Sequence, residues 1–197
     1  GKHIHEDIRV DKDENNIFFL TKSTNKPGFL YYNDLNNSVF LNRDIGFNYV
    51  KEKTETIAWK IHKETKNIGN VKCFKASGDF RGRLYTVWFT TEIPLPFGPW
   101  KLQGLPGLIL EAYDTNKEVY YYFNSIEYPV TNKTILIQKP NPSLENKKWQ
   151  TLEDYKKYIT NSFNKSIANG RMLFQQTGVL SEENEMTMKD VFVEIFE

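Results

Sequence analysis

Arg83-Leu84-Tyr85-Thr86-Val87-Trp88-Phe89-Thr90 decides the fold class. Tyr85, Val87 and Phe89 alternate with Leu84, Thr86 and Trp88, and a period of two belongs to a β-strand. Both sets are largely apolar, so this strand is expected to be central and covered on both faces. Working back toward the N-terminus, Ser77-Gly78-Asp79 reads as a turn and Val71–Ala76 as a strand. Asn67-Ile68-Gly69-Asn70 is a further turn, and Ile57–Ile61 is a strand with Ile57, Trp59 and Ile61 on one face. Asp34-Leu35-Asn36-Asn37 precedes the strand Ser38–Leu41, and Lys26-Pro27-Gly28 separates Ile17–Leu20 from Phe29–Tyr32. Toward the C-terminus, Leu108–Tyr113, Val119–Ile126 and Thr134–Gln138 read as strands, with a turn at Asp114-Thr115-Asn116-Lys117. Asp190–Phe196 alternates once more and reads as a closing strand.

One segment changes period. Leu152, Tyr155, Ile159, Phe163 and Ile167 fall at intervals of three and four, which places them on one stripe of a helix reaching about Phe174. Thr151 and Asp154 approximate a capping box, and Gly178 is the expected stop. The fold class is therefore mainly β (α+β). The architecture expected is a curved antiparallel sheet or half-open barrel, with one long C-terminal helix packed on its concave face.

The 197 residues fit one domain spanning 1–197. Apolar residues make up 39%, with 14 Phe, 11 Tyr and 4 Trp, a composition that excludes a disordered tail. Balanced charge, net +1 from 26 basic and 25 acidic residues, provides no whole-molecule field for nucleic acid. No apolar run approaches the ~20 residues of a membrane-spanning helix. Cys73 is the sole cysteine, so an intramolecular disulfide is excluded. The start, Gly1-Lys2-His3-Ile4-His5, suits a chain trimmed of its export signal and equally a cytosolic one.

Between two strands lies Thr91-Glu92-Ile93-Pro94-Leu95-Pro96-Phe97-Gly98-Pro99-Trp100-Lys101-Leu102-Gln103-Gly104-Leu105-Pro106-Gly107. Its prolines fix φ and remove backbone donors, so the connection is stiff. Pro106-Gly107 suits the centre of a type II turn.

Gly104-Leu105-Pro106-Gly107-Leu108-Ile109 spells the hexapeptide that names the GLPGLI family, found mainly in Bacteroidetes. Other elements resemble that family in order. They are Trp59-Lys60-Ile61 with Glu64-Thr65-Lys66-Asn67-Ile68-Gly69, Cys73-Phe74-Lys75-Ala76, Phe80-Arg81-Gly82-Arg83, Trp88–Pro94 and Gly98-Pro99-Trp100-Lys101. Asn70 departs from the pattern, since the family usually has an aromatic there. The resemblance implies an exported protein, periplasmic or at the cell surface, whose signal peptide is absent from this sequence. It also implies a strand order similar to the half-open barrels that carry lipoproteins between membranes.

The candidate chemistry is sparse. His3 and His5 form an H-x-H pair without a third ligand nearby in sequence, so no metal site is assigned. Cys73 reads as a small buried residue, and His62 as a surface residue on the polar face of its strand. No nucleophile elbow, zinc helix, phosphate loop or dinucleotide motif occurs, so no catalytic residue and no cofactor are assigned. Arg81 and Arg83, one residue apart, are expected to point the same way and, with Lys101, to grip a carboxylate or phosphate. Trp59, Trp88 and Trp100 are expected to line a hydrophobic pocket. The function expected is a non-enzymatic exported protein holding a hydrophobic ligand or peptide in a sheet concavity. The rivals are a docking module for an outer-membrane receptor or export system, and an envelope hydrolase. The hydrolase reading requires a histidine or carboxylate within hydrogen-bond reach of Cys73 or a serine.

Overall fold

Two-residue turns that hold glycine where φ must be positive fix the central strands. Ile68 pairs with Val71 across Gly69-Asn70. Gly69 has φ 57° at the first central position, as a type II′ hairpin requires. Phe80 pairs with Arg83 across Arg81-Gly82, and both connecting residues have positive φ, 52° and 74°. That is the type I′ arrangement, whose twist matches the strands it joins, although arginine is an uncommon occupant of a left-handed position.

The protein is described by a computed structural model covering residues 10–12, 18–20, 29–44, 46, 48–126, 128 and 139–177. The chain divides into two compact units, Gly1–Lys53 with Ile137–Tyr155, and Thr54–Leu136 with Lys156–Glu197. Among the described residues it is mostly β, with antiparallel sheets of three and five strands, a two-stranded ribbon and one long helix. Among the described residues neither sheet closes into a barrel.

The first unit contains the ribbon of β1 (Val10–Lys12) and β2 (Phe18–Leu20). It also holds the sheet of β3 (Leu30–Asp34), β4 (Val39–Arg43) and β5 (Tyr49–Lys53). The turn read at Asp34–Asn37 joins β3 to β4, with Asp34 Oδ1 accepting from the Asn37 amide at 3.3 Å. Neither β1 nor β5 was read from the sequence. The expected turn at Lys26–Gly28 and strands at Thr134–Gln138 and Asp190–Phe196 lie outside the described residues.

The second unit holds β6 (Lys60–Ile68), β7 (Val71–Phe80), β8 (Arg83–Thr90), β9 (Leu108–Asp114) and β10 (Tyr120–Tyr121), in the order β10-β9-β8-β7-β6. The turn expected at Ser77-Gly78-Asp79 is instead strand, continuous to Phe80. Gly78 serves packing there: a Cβ on it would lie 2.9 Å from the Trp59 ring and 3.1 Å from an Ile57 methyl. One face of the sheet, carrying Ala76, Phe80, Tyr85, Val87, Phe89, Ile109 and Ala112, is filled by Leu102 and Leu105 of the Pro-rich connection with Ile57 and Val119. Burial of these large side chains contributes about 1.5–3 kcal/mol each.

Helix α1 (Leu152–Thr177) begins where the periodicity places it. The Thr151 hydroxyl accepts from the Asp154 amide at 3.1 Å and donates to the Asp154 carboxylate at 2.7 Å. Along the stripe, Ile159 is buried, and Leu152, Tyr155, Phe163 and Ile167 are half-buried.

Candidate functional site

The hexapeptide is an internal fastening. Gly104 has φ 93°, and the Trp59 indole donates to the carbonyl of Gln103 just before it at 2.8 Å. Gly107 is absent from the positive-φ residues, so Pro106-Gly107 does not form the expected type II turn, which needs φ near +80° at its third position. What Gly107 provides is closeness: a Cβ there would lie 2.0 Å from the Thr90 carbonyl oxygen. Leu105 and Leu102 then sit fully buried. Trp100, with φ 56°, packs on Phe80 and Tyr85 at centroid distances of 5.4 and 6.3 Å. A bulky residue in that conformation costs about 1–3 kcal/mol, which the surrounding packing offsets. Lys101 is only 3% exposed, with its ammonium 5.5 Å from the Trp100 ring centre.

The two arginines part company. Arg81, in the turn, reaches Glu55 at 3.0 Å and lies 5.4 Å from the Phe80 ring centre. Arg83, at the head of β8, is buried and donates to Asp114 Oδ2 at 2.6 Å and to Glu118. Burial opposes the guanidinium charge, but the two carboxylates more than offset it and hold the pKa above its ordinary value. Asp114 also accepts from the Val119 amide at 3.1 Å, so the arrangement fastens the β9–β10 turn. The expectation that Arg81 and Arg83 share a direction fails because Arg81 belongs to the turn and only Arg83 to the strand. Trp88 is likewise separated from Trp59 and Trp100. Those two pack with the core just described, whereas Trp88 packs with Ile68, Cys73 and Leu110 on the opposite face. Cys73 is fully buried there, and burial pushes its thiol pKa up. That suits the inert structural thiol expected.

The opposite face collects groups that sequence reasoning left scattered. Cross-strand register puts Ser77, Thr86, Tyr113 and Tyr120 in one row. Lys75, Trp88 and Glu111 form the row beside it. Lys66 bonds Glu111 at 2.7 Å and lies 4.5 Å from the Trp88 ring centre. Lys75 bonds Glu64 at 3.1 Å, and His62 Nε2 lies 2.8 Å from Ser77 Oγ. Glu64 has its pKa lowered, first by a backbone hydrogen bond and then by Lys75. Tyr113, Tyr120 and Tyr122 stand with near-parallel rings, 5.5 and 6.4 Å between neighbouring centres. Tyr120 is 45% and Tyr122 67% exposed. Desolvation, followed by the Glu111 charge, raises the pKa of the Tyr120 phenol. Among the described residues no group of three or more His, Cys, Asp or Glu side chains is placed to hold a metal ion, and no helix is long and apolar enough to cross a membrane.

Fold and site together define a mostly β protein with one sheet face filled by a Pro-rich connection and the other carrying aromatic and paired ionic side chains. Residues 82–111, from the Arg81-Gly82 turn into β9, match the model of a family described as "Protein of unknown function (Porph_ging)". No curated protein matches the chain. Solved structures of PNGF-II in C2 and P21 space groups are similar to it at 18% identity and TM-score 0.44, over 74% of this chain. The chain corresponds to 28% of the length of those structures.

Proposed function

We propose that this chain is a binding protein of the GLPGLI family, exported and acting in the periplasm or at the cell surface, that engages a peptide segment of a partner through the aromatic face of its five-stranded sheet. The family and compartment rest on the ordered series of elements from Trp59 to Ile109. The family-model match over residues 82–111 falls within that series. The observation that carries the binding reading is the stacked Tyr113–Tyr120–Tyr122 row, whose Tyr120 and Tyr122 are exposed, on the face that also carries Trp88. Tyrosine and tryptophan offer large contact area at low entropic cost and are enriched at recognition surfaces. The choice of a peptide over an acyl chain follows from the ion pairs on the same face, Lys66–Glu111 and Lys75–Glu64. An acyl chain would leave those pairs without water or polar partners, whereas peptide groups hydrogen-bond to them.

The test is a binding screen against a library of short peptides and, in parallel, phospholipid vesicles. Peptide capture by the native chain, weakened about tenfold or more in a Tyr120→Ser/Tyr122→Ser variant, is the expected result. Capture of vesicles alone, or peptide binding that the double substitution leaves unchanged, overturns the proposal.

A further inference from the structure

Ser77 and His62 share the aromatic face but play no part in the binding just described. We propose that they form a nucleophile–base pair that cleaves small carboxylic esters. The contact itself is the one acyl-transfer chemistry needs, with imidazole Nε2 2.8 Å from the hydroxyl oxygen. In the tautomer that accepts from the hydroxyl, Nδ1 carries the ring proton.

Three further features assemble around the pair. The ladder between β6 and β7 is irregular: Ile61 pairs with Ala76 and Thr65 with Phe74, so His62, Lys63 and Glu64 together oppose Lys75 alone. Extra residues in an edge strand re-aim its side chains, and here His62 is directed to the serine. Glu64, two residues on, lies close enough to His62 for the two to interact electrostatically, the smallest of the causes that lower the Glu64 pKa. The register also places Ser77 in line with Thr86, Tyr113 and Tyr120. Neighbouring strands lie about 4.8 Å apart, so Tyr113 is about 10 Å from the serine with only a threonine between. An aryl or other flat apolar group resting on Tyr113 thereby presents an ester carbonyl at Ser77. Lys60, directly opposite Ser77 in the ladder, is the nearest cation by register to the developing oxyanion.

In the first half of the reaction Ser77 Oγ bonds to the ester carbonyl carbon while its proton passes to His62 Nε2. The tetrahedral oxyanion collapses, the bond to the alcohol oxygen breaks, and the departing alkoxide takes the proton from His62. Water then attacks the acyl-serine with His62 again as base, releasing the acid and restoring the hydroxyl.

The test uses the full chain and fluorophosphonates, which bond to an activated serine oxygen with loss of fluoride. Intact mass and peptide mapping should show a single adduct on Ser77, absent in Ser77→Ala and formed about a hundredfold more slowly in His62→Gln. An aryl fluorophosphonate should react faster than its methyl counterpart, and Tyr113→Ser should narrow that difference. Circular dichroism of each variant verifies that the fold is retained. No adduct at Ser77 in the native chain, or an unchanged rate in a folded His62→Gln variant, overturns the proposal. The readout requires no peptide binding, so failure of either proposal is seen separately.

Discussion

Replacing Gly107 by alanine should be among the most damaging single changes in this chain, although it adds only one methyl group. The new Cβ would lie 2.0 Å from the Thr90 carbonyl oxygen, 2.7 Å from the Thr90 carbonyl carbon and 3.1 Å from the Thr91 Cα. All three are backbone atoms at the end of β8, so no rotamer change relieves the clash. Either β8 loses register with β9, or the connection lifts and withdraws Leu105, which is 2% exposed, from the core. Overpacking typically costs about 1–3 kcal/mol, and a contact this short against backbone belongs at or above the upper end, about 3–5 kcal/mol. Gly104→Ala is the matched control. Its φ of 93° strains any side chain, but the nearest atom to its Cβ, the Trp59 indole nitrogen, is 4.0 Å away. Only the conformational cost of about 1–2 kcal/mol then applies. Urea unfolding followed by tryptophan fluorescence should rank the two with Gly107→Ala less stable by at least about 1 kcal/mol. Equal midpoints, or the reverse order, would refute the reasoning, because the distance to Thr90 would then not be what selects glycine.

Other substitutions separate the remaining contributions. Arg83→Met should cost about 3–5 kcal/mol in chemical unfolding, since it leaves the buried Asp114 carboxylate uncompensated, and adding Asp114→Leu should recover part of the loss. Trp59→Phe removes the bond to Gln103 together with part of the indole's packing, so a loss of about 1–3 kcal/mol in the same assay is expected. The Cys73 thiol, buried and raised in pKa, should resist a thiol reagent at neutral pH until denaturant is added. Its folded pKa exceeds the unfolded one, so its contribution is complete below the ordinary thiol range and declines as pH rises through the folded value. Unfolding midpoints measured above pH ~9 should therefore fall less steeply in Cys73→Ala than in the native chain.

The strands whose signal is local were legible. Arg83–Thr90 shows its alternation outright, and the helix from Leu152 follows from its stripe and the Thr151–Asp154 cap. Glycine was the principal source of error, because its two uses look alike in a sequence. Gly78 and Gly107 read as turn formers, yet each is there because a neighbouring group approaches too closely for a side chain. The same misreading put Arg81 and Arg83 on one side, when the strand runs past Gly78 and turns only at Arg81-Gly82. The candidate site was less legible than the fold. His62 and Ser77 are fifteen residues apart, and Tyr113 and Tyr120 belong to different strands. Only register, which depends on the irregular ladder between β6 and β7, brings such residues together. The tyrosines left a usable trace, since Tyr120 and Tyr122 alternate in a run read as strand, although only Tyr120–Tyr121 of it pairs with β9, Tyr120 opposite Tyr113. The cover supplied by Leu102 and Leu105 left none, because a Pro-rich stretch has no period to read.

Everything proposed for this molecule requires that one face of the five-stranded sheet be filled from within while the part of the other that carries Tyr120 and Tyr122 stays open to solvent. Hydroxyl-radical footprinting read by mass spectrometry measures that difference directly. Tyr120 and Tyr122 should oxidise rapidly, while Tyr85, Phe89 and Leu105 stay protected until the chain unfolds. Protection of Tyr120 and Tyr122 to the level of Tyr85 in the native chain would contradict the account, since the face assigned to binding and to ester cleavage would then be closed.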